Sequence, residues 1–238
     1  MEIISRFKLV SGIFFRNGCI VCGRATTSAV CTDCSNSIRY IQQPYCTKCG
    51  QPFTTHSGIS HVCYDCIKGK NKFTLSRAVF EYNGAIVKLI HRFKFGDRVN
   101  LSSFFSEELF KLYEAHFAAK DITAILPVPL STHRLKHRSY NQTQLLAEAL
   151  SRKLSIPVFP QILEKIKETP PQSLLSAEKR RENVKDAYKV TDRKTLKGKK
   201  VLLIDDVITT GATVNACTRA LMRAGIKQVY VTAIAMRV

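Results

Sequence analysis

The sequence predicts a parallel α/β domain preceded by a small cysteine-rich metal module. Three observations carry that prediction. Eight of the nine cysteines fall in four C-x2-C pairs between residues 19 and 66. From Phe73 onward, short apolar strands alternate with helix-spaced apolar stripes. One of those strands, Val201 to Ile204, runs into two adjacent acids and a threonine–glycine turn, Asp205-Asp206-Val207-Ile208-Thr209-Thr210-Gly211-Ala212-Thr213. The chain has 238 residues, 45% of them apolar and 23% charged, which is enough for a buried core in one large or two modest domains.

Taken in order, Ile3, Ile4, Phe7, Val10 and Phe14 recur at helical spacing with Arg6 and Lys8 between them, so a short amphipathic helix is expected over 3–15. The longest early apolar run, Leu9 to Phe15, is closed by Arg16, which argues against a cleaved signal peptide. With a mean hydropathy of -0.07 and no long apolar run, the chain offers no transmembrane helix, which needs ~20 apolar residues.

The cysteine pairs follow: Cys19/Cys22, Cys31/Cys34, Cys46/Cys49 and Cys63/Cys66. Each pair forms a tight knuckle whose two sulfurs converge, and two knuckles supply the S4 tetrahedron that Zn²⁺ prefers. The gaps from Cys22 to Cys31 and from Cys49 to Cys63 suit ribbons that return to their own knuckle, so two consecutive zinc ribbons are expected. A cross-braced pairing of Cys19/Cys22 with Cys46/Cys49 stays open. A disulfide framework belongs to secreted mini-proteins, whereas this module is fused to a fold of cytosolic type. An iron–sulfur centre in a redox accessory protein is the other metal reading. Four sulfurs close the coordination sphere, so the zinc role is structural. His56 and His61, in the second ribbon's loop, could replace a ligand but suit solvent better. Lys68 to Lys72 reads as a basic linker and places a domain boundary near residue 70.

The second part is expected as strand 76–82, helix 85–94, helix 103–117, strand 122–128, helix 141–154, strand 201–204, helix 213–224 and strand 228–235. Lys165 to Lys189 interrupts the pattern. It is polar, charged and carries Pro170-Pro171, and a loop this long in a compact domain reads as a functional lid. Cys217, within a helix, reads as a small buried apolar residue.

Charge narrows the partners. Lys+Arg number 37 against 18 Asp+Glu, a formal net charge of +19, so an anionic partner is implied: nucleic acid, a phosphorylated metabolite or an anionic membrane. Eight thiolates around two Zn²⁺ would leave about +15.

The sharpest chemistry lies at 201–213. A ligand at the carboxyl end of a parallel strand meets the helix that follows, whose free N–H groups and dipole favour phosphate. Gly211 lets the backbone close around it and the threonine hydroxyls add hydrogen bonds. Asp205 and Asp206 would repel a phosphate. They suit a ribose diol, a cation or a developing positive charge. No Gly-Lys-Ser/Thr follows, which excludes a Walker loop, and no Ser–His–Asp or Cys–His arrangement supports a hydrolase. A second constellation follows the strand ending in Pro127-Val128-Pro129: His133, Arg134, Lys136, His137 and Arg138 crowd one loop before Tyr140-Asn141-Gln142 opens a helix. Five basic or His side chains there make a pyrophosphate pocket.

The 201–213 run resembles the 5-phosphoribosyl 1-pyrophosphate (PRPP) signature of type I phosphoribosyltransferases. That resemblance implies a phosphoribosyltransferase-like parallel sheet flanked by helices over 71–238, behind an N-terminal helix and double zinc ribbon over 1–70, with the lid at about 165–189. It implies that Asp205 and Asp206, the catalytic candidates, hold the ribose 2′- and 3′-hydroxyls directly or through Mg²⁺. Thr209, Thr210, Gly211, Ala212 and Thr213 would wrap the 5-phosphate, with Arg134 and Arg138 at the pyrophosphate. Acceptor choice would lie in a hood at 73–100.

The chain as a whole resembles the ComF (ComFC/GntX-like) family. Pro127-Val128-Pro129 with Arg134, Arg138 and Tyr140-Asn141-Gln142 carries the likeness, as do His91-Arg92-Phe93-Lys94-Phe95 with Gly96-Asp97, the run Gln172, Leu175, Arg180-Arg181, Asn183, Ala187-Tyr188, and the double ribbon ahead of them. This resemblance implies natural transformation: uptake and handling of incoming single-stranded DNA in the cytoplasm, at the inner face of the membrane, with DNA-import helicase machinery as a partner. Lys88, Arg92, Lys94, Arg180 and Arg181 are the nucleic-acid candidates, with a solvated basic face as the plainer reading. Tyr40, Tyr45, Phe53 and Tyr64 could stack on bases or fill a small core. The competing function is a metabolic phosphoribosyltransferase acting on a base or amine.

Overall fold

The structure is a computed structural model that describes residues 18–28, 30–54, 58–96, 98, 101–130, 140–167 and 186–238. The helix expected at 3–15 and most of the lid lie outside the described residues.

Four strands form a parallel sheet in the order β1-β6-β5-β2: β1 (Leu75–Glu81), β2 (Ala124–Pro127), β5 (Lys200–Ile208) and β6 (Gln228–Met236). The helices are α3 (Gly84–Phe95), α4 (Leu101–His116), α5 (Gln142–Leu154) and α7 (Ala212–Arg223), with short turns α1 (Thr32–Asn36), α2 (Tyr64–Ile67) and α6 (Arg193–Leu196). Both sheet faces are covered, which is why β5 opens on an unbroken apolar run rather than an alternating one. Val201 and Leu203 face one core, shared with α7, while Leu202 and Ile204 face the other, shared with α3, α4 and α5. All four are fully buried, a gain of about 1.5–3 kcal/mol per side chain.

The cysteine-rich segment packs into these same cores. Cys46, Cys49 and Cys66 join the α7 side, and Cys19, Ile20, Val21 and Cys31 join the α3–α4 side. It also covers the edge of β1, where an unpaired strand would otherwise invite another chain. Ser76 N–H donates to Lys48 C=O at 2.9 Å, Ile41 N–H to Val79 C=O at 2.9 Å and Glu81 N–H to Arg39 C=O at 2.9 Å. Gly50 approaches this edge so closely that an added Cβ would lie 2.8 Å from the Ser76 carbonyl oxygen.

Two details depart from the sequence reading. First, β5 continues past Ile204 through both acids to Ile208, because its ladder to β6 holds there, pairing Asp205 with Ala233 and Ile208 with Met236. Second, the polar 165–189 stretch is tied at its root by an antiparallel pair, β3 (Leu163–Lys165) and β4 (Tyr188–Val190). Leu163, Tyr188 and Val190 are buried in the α7-side core. Strands of three residues are too short to show a period, so burial against a distant helix decides them.

Candidate functional site

The threonine–glycine turn read above as a phosphate loop lies between a strand and a helix, as the sequence places it. β5 ends at Ile208, Thr209 and Thr210 follow, and Gly211 takes a left-handed φ of +70° before α7 begins at Ala212. That backbone angle is open to glycine and strained for other residues. Thr210 Oγ1 accepts from Ala212 N–H at 3.4 Å. Thr209, Thr210, Gly211 and Thr213 are partly exposed and Ala212 is buried.

The two acids sit at the strand's tip on the same stretch. Asp205 is 7% exposed and its Oδ1 accepts from Asp206 N–H at 2.8 Å. Burial and the neighbouring Asp206 charge outweigh that bond and the Lys94 charge, pushing the Asp205 carboxyl up to about 7. Asp206 pairs with Lys94 Nζ of α3 at 2.8 Å, both side chains being largely buried. The expected basic stripe on α3 therefore divides: Lys88 and Arg92 are exposed, while Lys94 turns inward to the acid pair.

Arg134 and Arg138 lie outside the described residues, as do Arg180, Arg181, Asp97 and His56. The residues on either side of 131–139 are described, however. Pro127 pairs with Ile204, so the chain leaves β2 beside the acids. Asn141 Nδ2 and Thr143 Oγ1 both donate to Val128 C=O, at 3.3 and 2.6 Å. Tyr140 Oη donates to Phe93 C=O at 2.7 Å and Gln142 Nε2 to Lys94 C=O at 3.2 Å. The Tyr-Asn-Gln run thus clamps the α3 end that carries Lys94 to the exit of β2. Sequence reasoning read it as a helix start and as part of the ComF likeness, and missed the clamp because its partners lie 47 and 48 residues away.

The eight knuckle cysteines assemble as two sequential groups, Cys19/Cys22/Cys31/Cys34 and Cys46/Cys49/Cys63/Cys66, each with its sulfurs within 4.8 Å of one another. The cross-braced pairing is not formed. Sulfur–sulfur distances of 3.7 Å (Cys22–Cys31) and 3.8 Å (Cys46–Cys66, Cys49–Cys63) match the edge of about 3.8 Å in a tetrahedron with ~2.3 Å bonds to one ion. The amides prepare the charge. Burial raises the Cys19 thiol, but donors from Cys31, Cys22 and Val21 outweigh it and bring it to about 6. Cys46 is brought to about 6 in the same way by Cys49, Cys63 and Lys48. Burial and the neighbouring thiols push Cys34 up to about 12, so four thiolates need a cation among them. These residues fit structural zinc. His61 is not among the ligands; it stacks on Phe53 with ring centres 4.2 Å apart.

A cleft of ≈ 440 Å³ separates the second group from the phosphate-type loop, lined by Cys49, Cys63, Asn71, Thr209, Gly211 and Asn215 among others. The stretch read as a linker is bonded across it, with Lys72 N–H donating to Asn215 Oδ1 at 2.7 Å. Of the four aromatics between the knuckles, Tyr45 is buried, Phe53 is partly buried, and Tyr40 packs on Phe80. Tyr64 stands 68% exposed beside Lys68 and Lys70. Cys217 is fully buried in α7. No helix among the described residues is long and apolar enough to cross a membrane.

Comparison with known proteins matches this architecture. Residues 10–67 match the double zinc ribbon domain and residues 143–237 the phosphoribosyl transferase domain. Competence protein F of Haemophilus influenzae is 31% identical over 229 residues, 93% of this chain and 98% of that protein. Competence protein ComFC of Bacillus subtilis is 33% identical over 208 residues, 82% and 79% of the two chains. DNA utilization protein YhgH of Escherichia coli is 31% identical over 207 residues, 85% and 88%. With a zinc-ribbon module on one edge of a phosphoribosyltransferase-type sheet, and relatives aligned over nearly its whole length, this chain belongs to the competence protein F/ComFC family.

Proposed function

We propose that this protein binds PRPP at the tip of β5 and acts in natural transformation, handling incoming single-stranded DNA in the cytoplasm at the inner face of the membrane. One observation carries the ligand half. Two acids near the end of a central parallel strand precede a threonine–glycine turn that opens a helix, and that turn, from Ile208 to Ala212, lines an open cleft. In this reading Asp205 and Asp206 hold the ribose hydroxyls, Thr209 to Thr213 surround the 5-phosphate, and Arg134 and Arg138 meet the pyrophosphate. Paired carboxylates beside phosphate oxygens are the donor set Mg²⁺ takes, and that ion would neutralise charge on the leaving group. Lys94 holds Asp206 before ligand arrives and is freed toward the pyrophosphate when the diol replaces it. The reading divides the chain into 1–70 and 71–238, with the lid at about 165–189 closing over the ligand.

The DNA half rests on the net charge of +19, on exposed Lys88 and Arg92 with Arg180 and Arg181 from the lid, and on Tyr64, whose open face suits base stacking. DNA-import helicase machinery is the partner this role calls for. A second reading, transfer of phosphoribosyl from PRPP to a base or amine, is favoured by Asp205. A carboxyl raised to about 7 can accept the acceptor's proton near neutrality as the C1–O bond breaks and its electron pair leaves with pyrophosphate.

Calorimetry with PRPP and Mg²⁺ tests the pocket. Native protein is expected to bind, and Asp205→Asn/Asp206→Asn to lose about 100-fold in affinity, as removal of two charged hydrogen-bond partners implies. No binding by native protein overturns the reading. For DNA, filter retention of a single-stranded oligonucleotide at roughly 50 mM salt is expected to fall steeply with added salt and to weaken in Tyr64→Ala. Absent retention removes the DNA half. Pyrophosphate release that needs an added base or amine, and that is lost in Asp206→Asn, would select the metabolic reading.

A further inference from the structure

The second cysteine group and the phosphate-type loop are joined by one unbroken series of hydrogen bonds. Asn71 Nδ2 donates to Cys66 Sγ at 3.1 Å. Asn215 Nδ2 donates to Asn71 Oδ1 at 2.9 Å. Lys72 N–H donates to Asn215 Oδ1 at 2.7 Å, and Asn215 N–H donates to Gly211 C=O at 2.9 Å. Asn215 lies in the first turn of α7, two residues beyond the stretch read above as the phosphate cradle, and is 7% exposed.

We propose that the second metal centre anchors the phosphate-binding loop, with Asn71 and Asn215 as its positioning residues; the proposal rests on the reading of Thr209 to Thr213 given above. The reason is directional. A carboxamide has a donor end and an acceptor end. A metal-bound thiolate can only accept, so Cys66 fixes the Asn71 NH₂ toward sulfur and its oxygen toward Asn215. That in turn fixes the Asn215 NH₂ toward Asn71 and its oxygen toward the Lys72 amide. A neutral thiol can donate or accept, and imposes no such order. The relay is also packed against the loop. A Cβ at Gly211 would lie 3.4 Å from Asn215 Nδ2 and 3.8 Å from Asn71 Oδ1. Lys48, between the ligands Cys46 and Cys49, adds a second tie, its Nζ donating to Asn71 C=O at 3.1 Å.

The consequence is a cradle ordered before ligand arrives, so less ordering is charged to binding. The first centre is placed differently: its cysteines pack with α3 and α4 on the opposite face.

Hydrogen exchange on the zinc-loaded full chain tests this without ligand. In Asn71→Leu and in Asn215→Leu, with two zinc ions per chain retained, amides of 209–216 are expected to exchange about tenfold faster while the rest of the sheet is unchanged. Cys66→Ser should produce the same local change and Cys22→Ser should not. Asn215→Leu leaves the sulfur's surroundings intact and decides the matter if Asn71→Leu sheds its metal. In cobalt-substituted protein, PRPP should shift the sulfur-to-cobalt absorption of native protein and leave that of Asn215→Leu unmoved. Unchanged exchange in a Leu variant that keeps both metals overturns the proposal, as does an unmoved cobalt spectrum when calorimetry registers PRPP binding. If exchange rises as expected but native protein binds no PRPP, the anchoring stands and the phosphate reading falls.

Discussion

The two cysteine groups share a spacing logic and keep different company. In the first, Cys22 is exposed and Cys34 half-buried, and the group rests on the α3–α4 face. In the second, Cys46 is fully buried, Cys66 receives a side-chain amide, and Cys49 and Cys63 line the cleft beside the phosphate-type loop. Ligand type and knuckle geometry are the same, so the metal chemistry is the same. What differs is the chain each centre touches. One braces a helical face; the other reaches the turn before α7 through two carboxamides. A metal motif in a small module thus says little about its role until its neighbours are known.

The largest expected effect separates the centres directly. Cys66→Ser should lower Tm by ~10 °C or more and Cys22→Ser by about half as much, since structural zinc supplies folding energy and the second site is the more deeply built in. Calorimetry with metal analysis reads this, and equal losses would erase the contrast. Gly211→Ala comes next. Its left-handed φ costs a side chain about 1–2 kcal/mol, so PRPP affinity should fall about tenfold with both zinc ions kept. An unaffected affinity would detach the loop from the site.

The acid pair gives a pH signature. Asp205 is raised to about 7 from 3.8, first by burial and then by Asp206, so the folded state keeps a proton that the unfolded chain releases. Its contribution to stability therefore falls as pH rises from about 4 through 7 and is at its least favourable above 7. Asp205→Asn, which cannot ionise, should raise Tm by a few degrees at pH 8 and by less at pH 5 in ligand-free protein. A uniform shift across that range would contradict the assignment. The smallest effect is expected on the opposite face. Tyr140→Phe removes the hydrogen bond to Phe93 C=O and should cost ~1 kcal/mol, about 2–4 °C, with the second centre's exchange unchanged.

Local signals made much of this legible. The C-x2-C pairs, the apolar run before Asp205 and the helical stripes of α3, α5 and α7 are each written within about twenty residues, and all appear where periodicity and spacing put them. What escaped depends on long-range partners. Lys94 looked like one more cation on a basic stripe, and only the approach of β5 turns it toward Asp206. Asn71 and Lys72 looked like linker, and their partner Asn215 is more than 140 residues away. Tyr140 and Gln142 looked like a helix start, and their acceptors are carbonyls freed at the end of α3. β3 and β4 are too short for any period and are held by burial of Leu163, Tyr188 and Val190.

The central claim is that the tip of β5 and the first turn of α7 form a pocket for a phosphorylated ribose. A crystal structure with PRPP and Mg²⁺ tests it most directly. The account predicts the 5-phosphate on the amides of Thr210 to Thr213, the ribose hydroxyls at Asp205 and Asp206, and Lys94 drawn away from its 2.8 Å contact with Asp206. A ligand bound elsewhere with that ion pair intact would contradict it.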